Sequence, residues 1–476
     1  MKITFLIIFL LSFGTASSQD LVKQVSVELK SRTDVFQIVE EDKKQVTLFF
    51  SDKRDVKMIR FNEQFDILDS LSTIRPSKDF DNVIGHSIDG DNYYTYWPHF
   101  KEKRIESLCF NFSSKKITSS SIPIDLGKEK LFKRITVNNV FYLLTIVKGT
   151  SILNCYVLNK GQLEKKTIDL TLKVFYNSEN KKTVLWEILN QETNFESELS
   201  VQDIFDETPP SLVLSANKRK VYPIENNLIF TFDTNKNYTQ FLILNLTDFS
   251  VSQKLFTQPY FEETEFNTPE SNSFLIDDQL IQLKSNPSRM QISIKNVNDG
   301  SEIKSLEVLL DREIEFKNSE IIQENLSVKN TRVLDQSNQL IRKLTYLNPS
   351  VSCYEENGIY YLTLGGVSMV QNNNAVAFGA MIGGLSGALI GALISPSYSV
   401  SNLRSYQDRK VVYINCLFDQ QFNHVKGNVT ELPFDTLRKF DQMNKWLSDK
   451  TIFKINANLY LGAYSVSEKK YSFYKF

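Results

Sequence analysis

VFQIVEEDKKQVTLFF (residues 35–50) sets an apolar run, a tight polar turn and a stronger apolar run in succession, the pattern of a β-hairpin. The same arrangement returns in NVIGHSIDGDNYYTYW from residue 82, FKRITVNNVFYLLTIV from 132, LKVFYNSENKKTVLW from 172 and KVYPIENNLIFTF from 220. It returns again in SFLIDDQLIQLK from 273, VSCYEENGIYYLTL from 351 and TIFKINANLYLGAYSV from 451, at steps of 47, 50, 40, 48, 53, 78 and 100 residues. Most pairs are followed by a third strand that ends near Asn or Asp and turns into a fourth. VKMIRFNEQFDIL, RIESLCFNFSSKKI, LNCYVLNKGQLEKK, FLILNLTDFSVSQK and ISIKNVNDGSEIKS are the examples. Asn and Asp suit such a corner because they tolerate the left-handed region and bond their own backbone.

Four strands per unit of 40–53 residues resembles β-propellers as an architecture. A four-stranded blade cannot bury both faces alone, so neighbouring blades must stack around an axis. KQVSVELK (residues 23–30) supplies a lone strand near the N-terminus, while TIFKIN, NLYLGAYSV and KKYSFYKF supply three at the C-terminus. Pairing them completes the last blade from both ends and leaves no open edge. The expectation is an all-β chain over residues 19–476, folded as a β-propeller of seven or eight four-stranded blades. The lower number holds if the weak 172–212 unit is not a blade.

The alternative is an outer-membrane β-barrel, suggested by a last strand that ends on Phe476. Many of the runs are short and charged on one face, which argues against the unbroken apolar band a barrel needs. SIDGDNYYTYW (87–97) resembles the aspartate box of sialidase-type propellers, with its glycine one position early and its Thr–Trp pair displaced and interrupted. Neither a tryptophan–aspartate signature nor paired kelch glycines accompany it, so the resemblance stops at the architecture.

Composition fits a large folded core: 41% of the 476 residues are apolar and 23% charged. Lysine plus arginine is 55 against 56 acids, a net charge of −1 that removes the bulk-charge argument for a nucleic-acid partner. MKITFLIIFLLSFGTASS (1–18) reads as a secretory signal peptide, with Lys2 ahead of an apolar stretch and Ala16 and Ser18 at a cleavage site. The chain is therefore expected in the periplasm or cell envelope of a Gram-negative bacterium. Cys109, Cys155 and Cys416 lie inside apolar runs and, with Cys353, read as buried small hydrophobes rather than a disulfide framework.

AVAFGAMIGGLSGALIGALI (375–394) breaks the pattern, with no charge and no proline in twenty residues. Gly379, Gly383, Gly387 and Gly391 recur every four residues and form one stripe on a helix, a spacing that lets two helix backbones approach closely. Strand-like runs on both sides, GIYYLTLGG (358–366) and KVVYINCLFD (410–419), argue against a single membrane crossing, because they would have to pair from opposite sides. Three readings of the insert, taken as 371–396, follow. It packs on its own propeller or fills the channel, it joins chain to chain or to a partner, or it enters a membrane. Residues 311–347 read as an excursion between blades with one or two short helices. FDTLRKFDQMNKWLSD (434–449) reads as an amphipathic helix capping one propeller end, with Leu437, Phe440 and Leu447 on its apolar face.

Catalytic signatures are missing from the sequence. Three histidines, His86, His99 and His424, stand apart from one another and from any metal-ligand spacing, and no phosphate-binding glycine loop or nucleophile elbow occurs. DGDN (89–92) and NVNDG (296–300) are explained by turn chemistry rather than by calcium. No catalytic residue, metal ligand or cofactor is assigned. The expected function is an exported, non-catalytic binding or scaffold protein of the cell envelope, taking a protein or glycan at one propeller face. The glycine-rich arm would serve attachment or self-association. The alternatives are a propeller hydrolase of glycans or peptides and a membrane-inserting protein.

Overall fold

The computed structural model describes residues 20–29, 34–77, 79–80, 82–193, 195–262, 269–326, 330–370 and 398–476. The expected signal peptide, 1–18, and the insert 371–396, with Gly379, Gly383, Gly387 and Gly391, lie outside the described residues.

Among the described residues seven sheets of four or five strands follow one another along the chain, and none closes on itself as a barrel. Blade 1 comprises Asp34–Glu40, Gln45–Ser51, Asp55–Phe61 and Ile67–Ile74, and blade 2 comprises Gly85–Asp89, Asn92–His99, Arg104–Asn111 and Lys116–Pro123. Blade 3 runs from Glu129–Val137 through Val140–Val147 and Ile152–Asn159 to Gln162–Asp169. Blade 4 runs from Arg219–Ile224 to Val251–Thr257, and blade 5 from Glu270–Ile276 to Arg289–Asn296 and Glu302–Leu309. Blade 7 is Leu447–Ile455, Asn458–Ser465 and Lys470–Lys475, completed by Asp20–Ser26 from the other end of the chain. That last pairing closes the β-propeller with both chain ends in one sheet, as the terminal runs imply.

Local chemistry explains the hairpins. Inner and second strands are joined by pairs of left-handed residues, Asn138 and Asn139 in blade 3 and Asn456 and Ala457 in blade 7, whose twist matches that of the strands. The corners after the third strands of blades 1, 2, 4 and 5 are Asx turns. The Asn62 carboxamide oxygen accepts from Gln64 N and Asp66 N, and Asn245 accepts from Thr247 N. Alternate residues then face the two neighbouring blades, and apolar clusters fill the seams. Phe36, Met58, Trp97 and Phe110 join blades 1 and 2, and Phe50, Phe61, Phe453 and Phe473 join blades 7 and 1. Cys155, Cys353 and Cys416 are buried in such seams and Cys109 is half-buried, and all four are free thiols.

Three features depart from the repeat. The 172–212 unit is not a blade. It gives a two-residue ladder, Phe175–Tyr176 with Lys182–Thr183, followed by helix α1 (Leu185–Asn190), so the blade number is seven. Blade 6 takes Asn348–Glu356, Ile359–Val367 and Lys410–Phe418 in order, but its outer strands, Ile321–Asn325 and Thr331–Leu334, come from the 311–347 excursion that precedes them. The excursion also contributes helix α3 (Ser337–Leu344); helix α2 (Leu212–Ser215) lies earlier, before blade 4. The helix expected over 434–449 is shorter. It spans Pro433–Met443, and Asn444 ends it by returning both its backbone and side-chain amides to Phe440 O. Leu447 consequently starts the inner strand of blade 7 instead of extending the helical face. With Tyr398–Arg404 as α4, this helix is α5.

Candidate functional site

Because each blade runs from inner to outer strand in the same sense, all inner strands begin on one face of the ring. On the opposite face the connections within blades 1 to 5 are turns of two to five residues. The long segments 170–218 and 368–409 open on the first face, and α3 and α5 lead onto it just before the inner strands of blades 6 and 7. Its exposed apolar side chains include Leu172, Tyr260, Tyr346, Met369, Met443 and Trp446, all in connections.

The ring axis is crossed by protein. Gln202–Asp203 adds in parallel to the inner strand of blade 4, while Lys133 of blade 3 donates to Val201 O at 2.9 Å and pairs with Asp203 at 2.6 Å. Further on, Ser350 of blade 6 donates to Leu212 O, and Asn402 of α4 exchanges bonds with Ser211 N at 2.7 Å and Pro209 O at 2.8 Å. Tyr398 packs edge-on against Phe205 at 5.2 Å, and Leu212 N donates to the Tyr406 hydroxyl. Residues 196–217 and 398–406 thus tie blades 3, 4 and 6 and helix α4 together across the centre.

Blades 6 and 7 are held apart. Among the described residues no apolar cluster joins them directly: α4 and α5 pack on Ile452, Leu459 and Leu461 of blade 7, while blade 6 turns a polar face to the gap. Ser352, Tyr354, Tyr361, Thr363, Tyr413 and Asn415 share that face by strand alternation. Gly365 sits opposite Tyr413, where a Cβ would collide with the Val412 carbonyl and the Tyr413 backbone.

The result is a cavity of about 110 Å³ lined by these groups, Tyr406 and α5, room for about three or four waters. Arg438 of α5 makes a two-pronged pair with Glu324, at 3.1 and 2.6 Å, and lies 3.9 Å over the Tyr406 ring. Tyr413 donates to the same carboxylate at 2.9 Å, and Lys454 of blade 7 donates to the Tyr354 hydroxyl at 2.7 Å. Burial pulls the Arg438 guanidinium down, and the Glu324 carboxylate more than reverses that shift. With Arg438 already paired to Glu324 and the Asp435 carboxyl also in the lining, the cavity suits a small neutral polar group rather than an anion.

The sequence-level candidates fall elsewhere. The glycine stripe lies outside the described residues, and among the described residues no three His, Cys, Asp or Glu side chains gather as metal ligands. Glu324 and Arg438, 114 residues apart, carried no local signal. His86 does face something: its ring stacks on Phe36 at 5.3 Å, and burial pushes it down to about 4. Asp34, two residues from Phe36 on the same strand, is pushed up to about 6 by burial, against Arg75 and with the charge of Asp449.

These two groups act in opposite directions on stability. Below the usual histidine pKa the unfolded chain takes a proton that native His86 refuses, so stability falls as pH drops from about 6.5 towards 4, by about 2–3 kcal/mol. Asp34 holds its proton longer in the native state, so its contribution is complete at about pH 4 and is lost as pH rises through 6, again by about 2–3 kcal/mol. Urea titrations at several pH values should show Asp34→Asn gaining stability relative to the parent as pH rises from 4 to 7. His86→Gln should show the reverse trend, and parallel pH profiles for parent and variants would refute both assignments.

No protein-family model matches this chain, and no curated protein matches it. Among solved structures, a variant of the Synechocystis apocarotenoid oxygenase is 10% identical, over 62% of this chain and 63% of that one, with a TM-score of 0.29. A chimera of that oxygenase with RPE65 is 11% identical at a TM-score of 0.28, covering 56% and 58%. A Lactobacillus plantarum protein is 9% identical over 71% of this chain and 83% of its own, at 0.27. The chain thus spans less than two thirds of the oxygenase chains it is similar to, and likeness at this level assigns no family.

Proposed function

We propose that the chain is an exported, non-catalytic propeller of the cell envelope that binds a protein or glycan partner, held in place or self-associated through its glycine-rich arm. The observation that carries this reading is the asymmetry of the ring. Long connections and exposed aromatic and Met side chains gather on one face, while on the other face the connections within blades 1 to 5 are short turns. Val367 and Lys410, which end the second strand and begin the third strand of blade 6 on either side of the arm in sequence, both lie at that same face. Because 196–217 and 398–406 already cross the axis, a role outside the ring is favoured over filling it.

Deleting 371–396 tests the reading. Full-length protein is expected to stay with alkali-washed membranes or to elute as an oligomer, and the deletion to be a soluble monomer. Two soluble monomers would refute a role for the arm in attachment or association. The hydrolase reading draws on one observation, the raised Asp34 carboxyl with Asp449 nearby.

A further inference from the structure

The strand ends at the rim of blade 6 interleave apolar and basic side chains. Asn348 pairs with Val367 at the end of the ladder, so Tyr346 and Leu347 lead into this strand end and Ser368 and Met369 lead out of it. Ser368 N donates to Lys410 O at 2.8 Å, and Leu326 N donates to Arg409 O at 2.8 Å, so Met369, Lys410 and Leu326 follow on successive strands. Tyr346 is 87% exposed, Met369 49% and Leu326 39%. Arg342 and Lys343 close the last turn of α3, which packs on this end of the blade through Leu344 against Gly366. Burial lowers the Lys410 ammonium, and the neighbouring charges of Lys343 and Arg332 lower it further, so three cations converge. Like charges gathered beside exposed apolar side chains suit an acidic interface with an apolar interior.

We propose that this rim docks on an anionic phospholipid bilayer, with Tyr346, Met369 and Leu326 entering the interface while Lys343, Lys410 and Arg332 meet lipid phosphates. Two positions beyond Met369 the chain enters the arm, whose residues 375–394 carry no charge. The inference deepens the attachment reading above by naming the surface, and it can fail separately from it.

Vesicle flotation of the full-length protein tests it, using phosphatidylcholine alone and phosphatidylcholine with phosphatidylglycerol, at low and high salt, followed by an alkaline wash. Binding is expected to need phosphatidylglycerol and to weaken with salt. Lys343→Gln/Lys410→Gln is expected to lose about thirtyfold in vesicle affinity, roughly fivefold per cation removed. Tyr346→Ser/Met369→Ser should lose binding while keeping the salt dependence. Attachment that survives alkali but ignores both phosphatidylglycerol and the lysine pair would overturn the rim proposal and keep the arm as anchor. Attachment that follows both but washes off in alkali would keep the rim and remove the arm as membrane anchor. Binding to neither vesicle, or association with a second copy alone, would overturn the rim proposal.

Discussion

Lys220→Met is expected to destabilise the protein by about 3–5 kcal/mol, the cost of stranding one member of a buried ion pair. Lys220 and Asp233 are both 0% exposed and 3.1 Å apart at the seam between blades 4 and 5. The ammonium also donates to Asn217 O at 2.5 Å and approaches Asn272, while the carboxylate accepts from Thr239, Ser273 N and the Ser273 hydroxyl. Asn272 returns its amide to Ala216 O, so the network binds the end of the axial segment as well as two blades. Burial pushes the Lys220 ammonium down, and Asp233 pushes it back up. Removing the cation leaves a carboxylate with hydrogen bonds but no countercharge. Lys220→Met/Asp233→Asn should therefore recover at least about 1 kcal/mol over the single variant, because the orphaned charge goes with it. Urea unfolding of the parent and both variants measures this. A loss under about 1 kcal/mol for Lys220→Met would mean the apolar seam alone holds blades 4 and 5 together.

The blades themselves were legible because alternation is a local signal. ILNCYVLN and RMQISIKN each show one face to a neighbour, and each turns locally, the first through left-handed Lys160 and Gly161 and the second through Asn296, whose side chain accepts from Asn298 N. The 172–212 unit misled for a related reason. FY and KT pair over only two residues because Asn177 folds the chain back at once, accepting from Glu179 N and Lys181 N. VLWEIL then buries Leu185, Trp186, Ile188 and Leu189 at helical spacing, and a short apolar run does not declare its period. The outer strands of blade 6 were invisible in order, since a strand filling a place from an earlier stretch leaves no trace in spacing. The candidate site depended on such non-local events throughout. Its cavity exists because blade 6 presents tyrosines where other blades present Leu and Phe, and only the fold brings α5 over them.

Arg438→Met is expected to cost a similar amount, about 3–5 kcal/mol, but to act locally. Glu324 has a side chain only 5% exposed, and without the guanidinium its carboxylate is left to the Tyr413 hydroxyl, which cannot supply a countercharge. The methionine would still cover Tyr406, so the lost quantity is the charge pair and its two aligned bonds. The damage should follow the contacts outward: α5 loses its tie to the outer strand of blade 6, and Tyr406 loses the cation above its ring. Through Leu212 N and the Ser211–Asn402 bond, the axial segment and α4 are next in line. Since α4 directly follows the arm, amide exchange should rise first in 398–406 and 433–443 while blades 1 to 3 stay protected. Arg438→Lys keeps the charge and loses the fork, so it should fall between parent and methionine variant. Uniform acceleration across all seven blades would mean that the gap between blades 6 and 7 is no separate unit. Protection unchanged in both helices would mean that apolar packing of α5 on Leu459 and Leu461 holds the wedge unaided. The predicted middle course makes this gap the softest seam of the ring, and it lies directly beside the root of the arm.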